Sequence, residues 1–164
     1  MIVQATEREI PVIEEILGDV VDWMEREGIP NLWNRTNIRW EKLSKNYCIQ
    51  DFYILYEEEE PIACMAITDV DQTYWPDVSK GEAFYLHKLA VKRAYAGNGV
   101  SKKMVTYAKE LVRMKNKETL RLDCNADRLK LRALYENYGF HLVKEIKTKA
   151  GYPIALYNCD VSVA

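Results

Sequence analysis

Ala83–Leu111 reads AFYLHKLAVKRAYAGNGVSKKMVTYAKEL, and the rest of the chain is organised around it. Phe84–Val91 is an aromatic and apolar run of strand length. Gly97-Asn98-Gly99 follows as a short turn. Val100, Met104, Val105, Ala108, Leu111 and Val112 then recur at helical spacing. Strand, glycine turn, helix: this order gathers backbone N–H groups at a helix start, where an anion, a phosphate above all, is attracted. The glycines alone are a weak signal. The third glycine of a dinucleotide fingerprint falls on Lys102, and the glycine that precedes Lys-Ser/Thr in a P-loop is missing. A turn that needs glycine only for its geometry accounts for them equally well. Lys102 and Lys103 in the first helical turn oppose the helix dipole, a small cost that a bound phosphate would offset.

Towards the N-terminus, Ile2–Ala5 reads as a short strand and Thr6-x-x-Glu9 as a capping box. Behind the box Ile10, Ile13, Ile16, Leu17, Val20, Val21 and Met24 form one apolar helical stripe. Pro11 fits that helix only in its first turn, and Gly28 with Pro30 ends it. Asn37–Lys45 has the pattern of a second helix. Phe52–Glu57 and Pro61–Val70 read as two strands around the tip Glu57–Glu60, a solvated hairpin turn rather than a metal site.

Towards the C-terminus, Thr119–Cys124 alternates, with Leu120, Leu122 and Cys124 on one face and Arg121 and Asp123 on the other. Asn125 or Asp127 is placed to cap the next helix, which buries Leu131, Leu134, Tyr135 and Tyr138 and ends at Gly139. Phe140–Lys147 and Tyr152–Cys159 make a last hairpin, whose edge could pair across a homodimer. The element order predicts an α/β architecture: a mixed sheet with helices on both faces. The Phe84 and Thr119 strands, joined by a helix, should be parallel.

At 164 residues the chain is expected to be a single domain, residues 1–164. A net charge of −2 argues against a general nucleic-acid binder, and none is expected as a partner. No apolar run approaches the ~20 residues of a membrane span, and the N-terminus lacks a signal-peptide pattern, so a cytoplasmic location is expected. Cys48, Cys64, Cys124 and Cys159 are far apart, His87 and His141 lie in separate runs, and reduced core thiols with no metal set are expected.

Leu89-Ala90-Val91, then Tyr95-Ala96-Gly97-Asn98-Gly99-Val100-Ser101, then Leu134-Tyr135-Glu136-Asn137-Tyr138-Gly139-Phe140 resemble the GCN5-related N-acetyltransferases. In that family a strand ending Leu-x-Val leads into a Q/R-x-x-G-x-G/A turn and a helix, and L-Y-x-x-x-G-F closes a later helix. The resemblance covers Phe84–Leu142 closely and the N-terminal half by element order. Two positions depart from it: Ala96 stands at the Q/R position and Ser101 at the last G/A position. Arg128 stands where many relatives carry Asn, and Asn125 is a nearby substitute.

The resemblance implies a mostly antiparallel sheet that splays between two parallel strands, with acetyl-CoA as co-substrate. Leu89, Ala90 and Val91 would offer main-chain bonds to its pantetheine arm. Gly97, Asn98, Gly99, Val100, Ser101 and Lys102 would take the pyrophosphate. Tyr135 falls at the position of the family's proton donor. His87 is a candidate base, with Glu82 and Asp69 as weaker options. Trp33 and Tyr74, with Asn34, Trp40 and Trp75, are candidates to line the acceptor site; the acceptor would be a primary amine, a small molecule in preference to a protein. Two other readings stay open: a non-catalytic acyl-CoA-binding regulatory module, which Ala96 and Ser101 favour and Tyr135 opposes, and a structural protein that docks through its acidic tip.

Overall fold

Glu9 accepts hydrogen bonds on its carboxylate from the backbone N–H and hydroxyl of Thr6, as the capping box requires. A single 3-10 turn, Glu7–Glu9, intervenes before helix α1, Ile10–Glu27. Pro11 therefore sits in the first turn of α1, where its missing N–H costs nothing. Gly28 closes the helix in the left-handed region at φ 64°. The computed structural model describes residues 1–162 in this way throughout.

The strands are β1 Ile2–Gln4, β2 Phe52–Glu57, β3 Glu60–Thr68, β4 Phe84–Val91, β5 Thr119–Asn125, β6 His141–Lys147 and β7 Pro153–Asp160. They form one sheet in the order β1-β2-β3-β4-β5-β7-β6. β4 and β5 are parallel, as the helical crossover demands, through the pairs Phe84↔Leu120 and Tyr85↔Arg121. The remaining helices are α2 Trp40–Leu43, α3 Val100–Met114 and α4 Leu129–Asn137. α2 is far shorter than the expected 37–45. Asn34 and Asn37 each accept the other's backbone N–H on a side-chain oxygen, Asn37 also donates to the Leu32 carbonyl, and these turns compete with helix there. No helix among the described residues is long and apolar enough to cross a membrane.

The contacts group the chain into two units: Met1–Ile67 with Lys88–Met104, and Thr68–His87 with the chain from Val105 on. In the first unit Ile13, Ile16, Leu17, Val21 and Met24 of α1 pack on Phe52 and Ile54 of β2 and on Cys64, Ala66 and Ala90. Trp40 and Tyr47 set their rings edge-on to Phe52 at 6.0 and 5.5 Å. The β2–β3 hairpin turns on Glu58 and Glu59, which both adopt left-handed backbone at φ 50° and 69°. Two-residue hairpins favour that geometry and normally use Asn-Gly for it.

In the second unit Tyr157 of β7 is fully buried. Its hydroxyl donates to Glu136 at 2.5 Å and accepts from Arg132 Nε at 2.9 Å. Arg132 also donates to the Ala126 carbonyl at 2.9 Å and reaches Glu145 on β6 at 3.3 Å. This network fixes α4, and with it Tyr135, on the β5–β7 ladder. Two expectations need correction in these units. The residue that caps α4 is Arg128, because Asn125 turns its oxygen to the Asp127 N–H. Cys48 is an exposed thiol, whereas Cys64, Cys124 and Cys159 are buried.

Candidate active site

The glycine turn belongs to the first unit and is braced from behind. β4 ends at Val91, and a 3-10 turn, Arg93–Tyr95, leads out of it. Asp19 of α1 accepts the backbone N–H of Arg93 at 2.7 Å, and the Arg93 guanidinium lies over the Trp23 ring at 3.6 Å. Lys92 bridges Glu15 and Glu60 at 3.0 and 3.1 Å. Burial works against the Lys92 charge, but the bonds to both carboxylates prevail and raise its pKa.

Gly97 and Gly99 then adopt φ 82° and 74°, where a side chain is strained. No atom lies within 4 Å of where a Cβ would stand at either glycine, so the backbone there is open to approach. Helix α3 starts at Val100 with no acidic residue in its first turn, and its first amides have no acceptor within the helix. Ala96 stands outside this amide group: its N–H is taken by the Arg93 carbonyl at 3.2 Å. Val100, Met104, Val105, Ala108 and Val112 are buried, which sets the helix direction from the turn outward. Leu89 and Val91 are half-buried and Ala90 is buried.

Lys88, just before them, adopts φ 53° in mid-strand. A lysine in that region is uncommon and marks a break in the pleat. Its ammonium sits 5.2 Å from the centre of the Trp33 ring, so Trp33 is half-buried against the first unit's core and capped by a cation.

The second unit holds the remaining candidates. Tyr135 is buried on α4, edge-on to Phe140 at 6.0 Å. Burial, above all, and then the neighbouring Cys124 push its pKa up, while Arg128 pulls the other way. The phenol therefore stays protonated at neutral pH. Asn125 is buried, serving the Asp127 turn and bonding Tyr152.

His87 faces a group that sequence reasoning missed. One ligand atom each from Asp71, His87 and Asp123 lie within 4.8 Å of one another. Among the described residues these are the three side chains placed to share a metal ion. Register explains half of the meeting: Tyr85 pairs with Arg121, and His87 and Asp123 each lie two residues further along, on the same face. Asp71 comes from the β3–β4 loop and is buried, its Oδ1 accepting the N–H groups of Thr73 and Tyr74 at 2.9 and 3.0 Å.

Aromatic rings surround the cluster. Tyr85 stacks on His87 at 6.5 Å, and Trp75 lies 6.4 Å from Tyr85. Arg121 lies over Trp75 at 4.2 Å and donates to Asn158 and Tyr85 at 3.0 and 3.3 Å. The Tyr74 phenol is pushed up to about 12, by burial first and then by Asp123, Asp71 and Tyr152. The Asp123 charge also raises Tyr135 and Tyr152, so one carboxylate is felt by all three phenols. Of the weaker base candidates, Asp69 is tied to Lys80 at 2.6 Å.

Residues 17–140 match the model of the Acetyltransferase (GNAT) family. The chain belongs to that family. It is an acetyl-CoA-dependent N-acetyltransferase. It is 28% identical over 125 residues to an uncharacterised N-acetyltransferase, YesJ, of Bacillus subtilis (strain 168), covering 68% of this chain and 69% of the relative. A GNAT-family acetyltransferase from Listeria monocytogenes 4b F2365 has the same fold at TM-score 0.76 and 22% identity, over 98% of this chain and 94% of that one. N-acetylglutamate synthase from Neisseria gonorrhoeae, solved with coenzyme A and N-acetyl-glutamate, superposes at TM-score 0.70 and 16% identity, over 98% of this chain and 35% of that one.

Proposed function

We propose that the protein transfers the acetyl group of acetyl-CoA directly to a primary amine of a small molecule, as a single acetyltransferase domain. The observation that carries this reading is the buried, protonated phenol of Tyr135 in the same unit as an imidazole flanked by carboxylates. Leu89, Ala90 and Val91 offer main-chain groups to the pantetheine arm. Gly97, Asn98, Gly99, Val100, Ser101 and Lys102 receive the pyrophosphate. Because backbone amides make that cradle, Ala96 and Ser101 leave it intact.

An ordinary alkylammonium has a pKa of about 10.4, so only about 0.04% is neutral at pH 7. His87 takes the proton from the acceptor nitrogen as it attacks the thioester carbon. The C–N bond forms and the C–S bond breaks. Tyr135 gives its proton to the departing thiolate and recovers one from solvent. Trp33 and Tyr74 contact the acceptor. The four free thiols support a reducing compartment, the cytoplasm, and the exposed outer strand β6 supports a homodimer.

Release of the CoA thiol from acetyl-CoA, measured against a panel of alkylamines, amino acids and peptides, tests the reading. Tyr135→Phe should lower kcat by about 100-fold or more, the scale of a lost general acid, while acetyl-CoA affinity survives. An unchanged kcat would remove Tyr135 from the mechanism.

A further inference from the structure

We propose that Asp71, His87 and Asp123 form a binding site for one first-row divalent ion of the zinc type, and that the bound ion switches acetyl transfer off. The site stands on the placement of the three side chains; the switch rests on the reading of His87 as the base. One ligand atom from each of the three lies within 4.8 Å of the other two. Three donors on one ion at about 2.1 Å stand roughly 3.4 Å apart in a tetrahedron, so closure needs shifts of up to about 1.5 Å. Side-chain rotation supplies such shifts without moving the strands.

The donors come from a loop and two strands, so the arrangement is not a by-product of one turn. Asp71 is 8% exposed, and its Oδ1 accepts the N–H groups of Thr73 and Tyr74. Both of these bonds go to Oδ1, so they orient the carboxylate without engaging Oδ2. Hydrogen bonds of this kind are what an outer shell supplies to a ligating carboxylate. The Tyr85 ring stacks on the imidazole and sets its plane. Asp123 is held on β5, whose ladder with β7 runs through Asp123↔Leu156. An ionised carboxylate has two oxygens and about four lone-pair positions, so hydrogen bonds it already accepts do not exclude a metal.

The donor set selects the ion. One imidazole nitrogen with two carboxylate oxygens favours zinc and its first-row neighbours over magnesium and calcium, which prefer oxygen alone. The two carboxylate charges balance a dication. Three protein ligands leave a coordination position open, unlike the closed four-ligand set of a structural zinc centre. A neutral imidazole has a single nitrogen lone pair to offer. Once that pair is given to the metal it cannot take the acceptor's proton, so metal-bound His87 is no longer a base. The metal-free protein is therefore the form that transfers acetyl, and the ion acts as a reversible inhibitor.

The test is calorimetric titration of Zn²⁺ into the full-length protein after a chelator has stripped it of metal. One Zn²⁺ per chain is expected, and Mg²⁺ at the same concentration should give no binding heat. His87→Gln and Asp123→Asn should each weaken zinc binding by about ten-fold or more, the scale of a perturbed ligand set. They lie on separate strands, so one reads the site if the other fails to fold. Cys48→Ser removes the exposed thiol and should leave the zinc affinity unchanged. Absence of zinc binding, binding that His87→Gln and Asp123→Asn retain in full, or binding lost in Cys48→Ser overturns the site. Magnesium bound as tightly as zinc overturns the choice of ion. Zinc should also stop acetyl transfer, followed as acetylated product because the CoA thiol itself binds zinc, and a chelator should restore it. Zinc bound with transfer undiminished supports the site and refutes both the switch and His87 as the base. The titration needs no acceptor, so it decides the site even if no tested amine is acetylated.

Discussion

The glycine turn and the aspartate–histidine cluster are built in opposite ways. On the proposed reading the turn is a backbone device: its working groups are amides, and the neighbouring Lys92 and Arg93 tie it to α1 and β3. The cluster is a side-chain device assembled from a loop and two strands. A backbone device tolerates exchange of side chains as long as φ is preserved. A side-chain device tolerates almost none, because an isosteric change of one atom removes a charge. Ala96 and Ser101 show the first kind of tolerance: both leave the family pattern, and the turn still carries left-handed Gly97 and Gly99 ahead of a helix.

The largest effect on this contrast should come from the turn's one intolerance. Gly99→Val places a β-branched residue at φ 74°, in open space, so the cost is backbone strain and not a clash. Strain of ~1–2 kcal/mol, relieved by moving the amides out of line, should weaken acetyl-CoA binding by about five- to thirty-fold. Ser101→Ala should change the same Kd less than about three-fold, since the N–H at that position is kept. Isothermal titration with CoA measures both. Equal losses in the two variants would mean that side chains, not amides, hold the phosphates.

The same contrast explains what could be read from the chain before its structure. Strand, turn and helix were legible because hydrophobic period and glycine mark them locally. The buried place of Tyr135 on its helix was legible because its motif is contiguous. The His87–Asp123 meeting was half legible: Asp123 lies opposite the Leu120, Leu122 and Cys124 face of its strand, but the register that levels it with His87 is set by the crossover, not by any local pattern. Asp71 was not legible, since a loop aspartate that caps its own turn looks the same whether or not a histidine stands opposite. Left-handed backbone without glycine left no mark either. Lys88, Glu58 and Glu59 show it, and their residue types give no sign of it.

Glu58 and Glu59 provide a medium-sized test of that last point. Both are held left-handed by the hairpin and not by their own preference. Replacing the pair with Asn-Gly should stabilise the protein by ~1 kcal/mol or more, because these residues adopt the turn without penalty and two like charges leave the tip. Urea unfolding at neutral pH reads the gain. No gain would mean that the tip's own contacts already offset the strain.

The smallest effect concerns the field of the cluster. The Tyr74 phenol is pushed up from an ordinary 10.0 to about 12 by burial and then by Asp123, Asp71 and Tyr152. Below pH 10 the phenol is protonated in both states and its contribution to stability is complete. Between pH 10 and about 12 the unfolded chain releases the proton while the folded chain keeps it, so stability falls as pH rises. Tyr85, Tyr135, Tyr152 and Tyr157 of the same unit are raised as well and add to the alkaline loss. Tyr74→Phe should flatten the loss between pH 10 and 12 without abolishing it. Asp123→Asn should flatten it further, since that one carboxylate acts on Tyr74, Tyr135 and Tyr152 together. The midpoint of urea unfolding at pH 9 and pH 11 decides the matter: if Asp123→Asn flattens the loss no more than Tyr74→Phe does, the phenols do not share the Asp123 field, and the cluster is a set of separate pairs.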